Sequence, residues 1–104
     1  MPRGSTRPAT SRAAPKMASD LKAKRNEKDR RVVELSWKPA EGATSYLIRY
    51  GIDASKLYHH HLIRGATTNL LTLYSLNNEP GYFFRIDALN DSGTTVGTET
   101  IPAP

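Results

Sequence analysis

Val33-Glu34-Leu35-Ser36-Trp37 alternates apolar and polar residues, so Val33, Leu35 and Trp37 share one face of a strand. Lys38-Pro39-Ala40-Glu41-Gly42-Ala43 then carries the Pro and Gly of a loop. Ser45-Tyr46-Leu47-Ile48-Arg49-Tyr50-Gly51 resumes the alternation, with Tyr46, Ile48 and Tyr50 together. Residues 57–63 are rich in aromatic and aliphatic side chains, and a short strand over 70–73 puts Leu71 and Leu73 on one side. The longest run is 82–90, with Tyr82, Phe84, Ile86 and Ala88 aligned. Asp91-Ser92-Gly93 forms a turn, and residues 94–101 supply a β-rich closing strand before Pro102. Six or seven short strands at intervals of about 8–12 residues predict an all-β sandwich. Its expected core is Trp37, Tyr46, Ile48, Leu71, Leu73, Tyr82, Phe84 and Ile86.

Charge divides the chain. Residues 1–31 hold ten basic groups against Asp20, Glu27 and Asp29, a net of +7, and residues 32–104 hold five basic and seven acidic groups, a net of −2. The overall +5 therefore belongs to the N-terminal stretch. Residues 1–19 are rich in Pro, Arg, Ser, Thr and Ala and have too little apolar surface to offset the entropy of ordering. They are expected to be a disordered tail of tag or linker sequence, and Pro2-Arg3-Gly4-Ser5 resembles the remnant of a cleaved expression tag. Residues 20–104 are expected to form one folded domain. The tail lacks the apolar stretch of a signal peptide. No apolar run approaches the roughly 20 residues of a membrane-spanning helix, so no membrane insertion is expected. With no Cys, disulfides and Cys-ligated zinc are excluded.

The strand pattern resembles a fibronectin type III module over roughly residues 20–102. Trp37 stands in Leu35-Ser36-Trp37-Lys38-Pro39, and Tyr46-Leu47-Ile48-Arg49-Tyr50 has the expected third-strand form. Leu76 precedes Tyr82 by six positions, the spacing of that family's tyrosine corner, although Glu79-Pro80-Gly81 departs from the usual turn. The first strand is the faintest, with Leu21 and Ala23 as its inward residues. The resemblance implies an immunoglobulin-like two-sheet β-sandwich of seven strands. Tyr50-Gly51-Ile52-Asp53, Lys56-Leu57-Tyr58 and the run 85–93 also look like type III modules of bacterial glycoside hydrolases, the family-43 xylosidase and arabinosidase type.

Candidate chemistry is sparse. His59-His60-His61 could direct two imidazoles to one side of a strand, but a structural zinc site needs four ligands and the sequence offers no obvious third or fourth. No metal and no cofactor are expected. Glu34, Glu41, Asp53, Glu79, Asp87, Asp91 and Glu99 are scattered over polar strand faces and loops and read as solvated charge, not as the closely spaced carboxylate pair of a glycosidase. No nucleophile elbow, phosphate loop or zinc-protease motif occurs, so no catalytic residues are expected. Lys22, Lys24, Arg25, Lys28, Arg30 and Arg31 lack interleaved aromatics for stacking on nucleic acid and read as protection of an exposed sheet edge. Tyr58, Tyr74 and Phe83 lie off the inward faces and are the candidates for a domain interface or a glycan contact.

The expected role is a monomeric, non-catalytic spacer, support or docking module of a secreted bacterial carbohydrate-active enzyme. Its partners would be the neighbouring domains of the parent protein, with polysaccharide or another protein as further partners and no nucleic acid. The resemblance implies an extracellular or cell-surface location. Two other readings follow from the same residues. One is a protein-binding module of a cell-surface protein, using loops 38–43, 77–81 and 91–94; the other is a weak carbohydrate-binding module.

Overall fold

In the computed structural model, which describes residues 13–104, β2 (Val33–Lys38) buries Val33, Leu35 and Trp37 as its alternation requires. It lies between β1 (Ser19–Arg25) and β5 (Leu70–Leu73) in an antiparallel three-stranded sheet. The second sheet is built on β3 (Ser45–Gly51) and β6 (Tyr82–Asn90), paired over seven positions from Ser45 opposite Leu89 to Gly51 opposite Phe83. β4 (His59–Arg64) flanks β3, and β7 (Gly93–Thr95) and β8 (Ile101–Ala103) both pair with β6. The described residues contain no helix.

The two sheets enclose one apolar layer. Tyr46, Ile48, Leu35, Val33 and Phe84 are fully buried, and Leu73, Tyr82 and Ile86 nearly so; Leu71 packs against them half-buried. Trp37 and Tyr46 meet at 5.7 Å in a tilted pair, and Tyr50 stacks on Phe84 at 5.7 Å. Two strands predicted as continuous are shortened or broken. The fourth begins at His59, because residues 53–56 close a tight bridge first. The closing strand is split into β7 and β8, which brings the strands to eight. The break has a local cause. A Cβ at Gly97 would run into the carbonyl oxygen of Ile86, and the Gly97 N–H donates to the Asp87 carboxylate instead of to a strand partner (3.0 Å).

The N-terminal boundary also moves. Residues 1–12 lie outside the described residues, but residues 13–18, expected within a disordered tail, run along the sandwich. Lys16 N–H donates to Glu41 O (2.9 Å), and Thr95 Oγ1 donates to Pro15 O. Asn90 Nδ2 donates to both Ala13 O and Gly42 O, each at 3.0 Å. Pro15 and Ala18 are buried. Small residues settle into this groove without the large apolar side chains that a sequence pattern reveals.

Candidate interaction surface

The strand parity that carries Leu21 and Ala23 inward also carries Arg25 inward, where it is buried. Its guanidinium donates to four carbonyls: Arg30 O (2.8 Å), Pro80 O and Asn77 O (3.1 Å each) and Ala103 O (3.3 Å). Burial lowers its pKa from the usual arginine value, and the neighbouring Arg30 adds to that. Arg30 bonds Asn78 O and Pro104 O, and Arg31 pairs with Asp29. Edge protection therefore describes Lys22 and Lys24, which are exposed on β1, and not Arg25, Arg30 or Arg31. Two cations of the group, Arg25 and Arg30, tie the first turn to the opposite loop and the C-terminal residues, and Arg31 braces the turn itself through Asp29.

Beside Arg25 stands Tyr82, whose hydroxyl accepts the Asn77 N–H at 2.9 Å. This is the corner bond that the spacing of Leu76 and Tyr82 anticipates. A second phenol performs a similar task at the other end. Tyr46 Oη accepts from Ala40 N–H (2.8 Å) and donates to Ala66 O (3.0 Å), fastening loop 38–43.

Asp87 corrects the reading of the carboxylates as solvated charge: it is 1% exposed. Arg85 grips it with two bonds (3.0 and 3.1 Å), Arg49 reaches it at 3.3 Å, and Gly97 N–H completes the set. The group is a satisfied ion cluster on the outer side of the second sheet, with every contact accounted for by structure. Among the described residues no second carboxylate joins it.

The three histidines occupy edge strand β4, where His59 stacks on Tyr50 at 5.2 Å. Among the described residues no group of three His, Asp or Glu side chains is placed to hold a metal ion. Tyr58 and Tyr74 are 77% and 71% exposed, and Phe83 is half-buried. The structure does not bring these three together on one strand. Tyr58 precedes β4 and Phe83 lies within β6 of the second sheet, whereas Tyr74 follows β5 of the first. A depression of about 380 Å³ lies elsewhere, lined by charged residues of the first turn such as Lys24, Glu27, Lys28 and Glu34.

The three loops proposed for protein binding are also divided. Ser19 pairs with Lys38 and Ser45 with Leu89, so loops 38–43 and 91–94 share one end of the sandwich. Loop 77–81 sits at the other end with Arg25. The first end is crossed by residues 13–16.

This arrangement, three strands in the order β1-β2-β5 facing a five-stranded sheet, recurs in solved structures. A Fn3-like protein from Clostridium thermocellum superposes with a TM-score of 0.71 at 18% identity, over 88% of this chain and 94% of that one. The fold is that of a fibronectin type III domain. The FN1–FN3 domains of chicken CNTN1 match with a TM-score of 0.70 and 22% identity, over 86% of this chain and 32% of that one. The fn3 domain of human collagen alpha-1(XX) chain matches with a TM-score of 0.58 and 24% identity, over 96% and 88% of the two chains. No protein-family profile and no curated protein sequence matches the chain. The type III fold is thus recognised through backbone geometry, with side chains free to differ at most positions.

Proposed function

We propose that this type III module is a non-catalytic spacer and support between domains of a secreted bacterial carbohydrate-active enzyme, working as a monomer outside the cell. The observation that carries the reading is how the stretches that lead into β1 and out of β8 are held. Residues 13–18 are clipped to loop 38–43 and β7 at one end of the sandwich. Residues 103–104 are clipped by Arg25 and Arg30 at the opposite end. A chain that enters at one pole and leaves at the other, with both passages hydrogen-bonded, holds its neighbours apart at a fixed distance and angle. The filled interior supports the absence of catalysis: Tyr46, Ile48 and Phe84 occupy the space in which a buried substrate would sit. The glycoside hydrolase context rests on the resemblance of the strings around Tyr50 and Arg85, and function on this fold varies widely.

Direct carbohydrate binding is the competing reading, favoured by the exposure of Tyr58 and Tyr74. The deciding experiment expresses the module with the domains that flank it in its reading frame. Removing the module is expected to lower the thermal midpoint of a neighbouring domain, or its activity on polymer, and to leave turnover of a small aryl glycoside unchanged. Unchanged midpoint and polymer activity would contradict the support role, and loss of small-substrate turnover would contradict the non-catalytic one.

A further inference from the structure

The four outer strands of the two sheets are not equivalent. β1 shifts register between Ser19 and Lys22, where Asp20 adopts a φ of 56°, and it packs against β8. β5 has only four residues. The β7 and β8 side is interrupted over residues 96–100 and carries Pro102. These are the usual ways in which a sheet edge is kept from pairing with another chain. β4 has none of them. It pairs with β3 in unbroken register from His59 to Arg64, contains no Pro or Gly, and ends the sheet.

Its free backbone groups can be assigned. Gly65 N–H donates to Thr44 O at 3.0 Å, and bonding alternates along an antiparallel pair. Ile63, His61 and His59 therefore turn their backbone groups toward β3, and His60, Leu62 and Arg64 turn theirs outward. The Thr68 hydroxyl reaches Arg64 O at 3.4 Å and marks the end of the open stretch. The side chains of His60, Leu62 and Arg64 lie on the outer face of the sheet with Leu47, Arg49 and Arg85, their register neighbours. Leu62 is 45% exposed. Arg64, Arg49 and Arg85 give that face three cations; Arg49 and Arg85 share Asp87, the only acid at its strand positions, so the face keeps a net positive charge with Arg64 at its β4 edge.

The geometry points to β4 as a docking edge that accepts an extended acidic–apolar segment of another protein, added as an antiparallel strand. Main-chain bonds to His60 and Leu62 supply the pairing. An acid of the incoming strand lies opposite Arg64, an apolar residue opposite Leu62, and a second acid opposite His60.

The test titrates the full chain with a capped peptide, Thr-Thr-Glu-Val-Leu-Thr-Glu-Thr-Thr, and follows backbone amides by NMR. Shifts and slowed exchange are expected at His60, Leu62 and Arg64. The same peptide with Lys for Glu is expected to bind at least tenfold more weakly. Leu62→Pro removes an outward N–H and spares the β3 ladder, so it is expected to fold and to lose binding. Should Leu62→Pro not fold, the peptide N-methylated at Leu decides instead, and it is expected not to bind. Shifts centred away from β4, equal binding of the Lys peptide, binding retained by Leu62→Pro or the N-methyl peptide, or chain self-association with no peptide bound would overturn the proposal.

Discussion

The guanidinium carbon of Arg25 lies 5.3 Å from the centre of the Tyr82 ring, over its face. Tyr82 in turn holds Asn77 through its hydroxyl, and Arg25 holds the carbonyl of the same residue. One cation and one phenol thus fix loop 77–81 from both sides, and their effects separate on substitution. Tyr82→Phe keeps the ring beneath Arg25 and loses one bond, at a cost of about 0.5–1.5 kcal/mol, and Tyr82→Ala costs far more. Arg25→Lys cannot span four carbonyls with one ammonium group and is expected to cost about 2–4 kcal/mol, given about 1.5–3 kcal/mol per charged bond. Lys24→Ala, one residue away and exposed, should stay within about 0.5 kcal/mol. Urea unfolding of the four variants measures these differences.

The N-terminal strap sets a second expectation. A chain beginning at Ala13 keeps the bonds from Ala13, Pro15 and Lys16 to the sandwich, and one beginning at Ser19 loses them together with buried Pro15 and Ala18. At about 4–8 °C per kcal/mol for a domain of this size, the shorter chain should melt several degrees lower. Equal midpoints would show that residues 13–18 contribute nothing.

Gly97 should tolerate no side chain. Gly97→Ala drives a methyl group against Ile86 O and moves the N–H that serves buried Asp87. Leaving that carboxylate with one bond fewer and the strand break distorted is expected to cost more than about 2 kcal/mol. Calorimetric unfolding reads the loss directly.

One carboxylate carries a pH expectation. Asp53 is held below the usual aspartate range by the backbone N–H of Ser55, and also by its hydroxyl (2.9 and 2.8 Å). A depressed folded value means that the contribution to stability is present above the unfolded value, about 3.9, and lost as pH falls through the folded one. Ser55→Ala removes the hydroxyl bond and should raise the Asp53 midpoint in an NMR titration. An unmoved midpoint would assign the effect to the backbone bond alone.

Much of this architecture is legible in the sequence because period-two alternation reports burial directly. Val33, Leu35, Trp37, Tyr46, Ile48, Phe84 and Ile86 are where their parity puts them. Arg25 reads by its charge as edge protection with its basic neighbours, although its step from Leu21 and Ala23 puts it on the inward parity where it is buried. The burial of Asp87 is not legible in this way. It sits on the outward parity of β6, where Arg49, Arg85 and the return of the chain at Gly97 close over it. Tyr58 and Tyr74 are exposed as expected, but sequence spacing cannot say that they flank strands of different sheets. The open edge at β4 was also hidden, because it is defined by contrast with three other edges and not by its own residues.

Calorimetric titration of the chain with xylo- and arabino-oligosaccharides tests the spacer reading most directly. Tyr58 stands before β4 and Tyr74 after β5, so the two exposed rings share no strand that would align them as one stacking platform. A single stacking contact is worth about 1–3 kcal/mol by analogy with base stacking, short of the about 4 kcal/mol that millimolar affinity requires. The account predicts no saturable heat below millimolar ligand and no hydrolysis of the oligosaccharides. Micromolar binding abolished by Tyr58→Ala or Tyr74→Ala would contradict it and make the module a carbohydrate-binding domain.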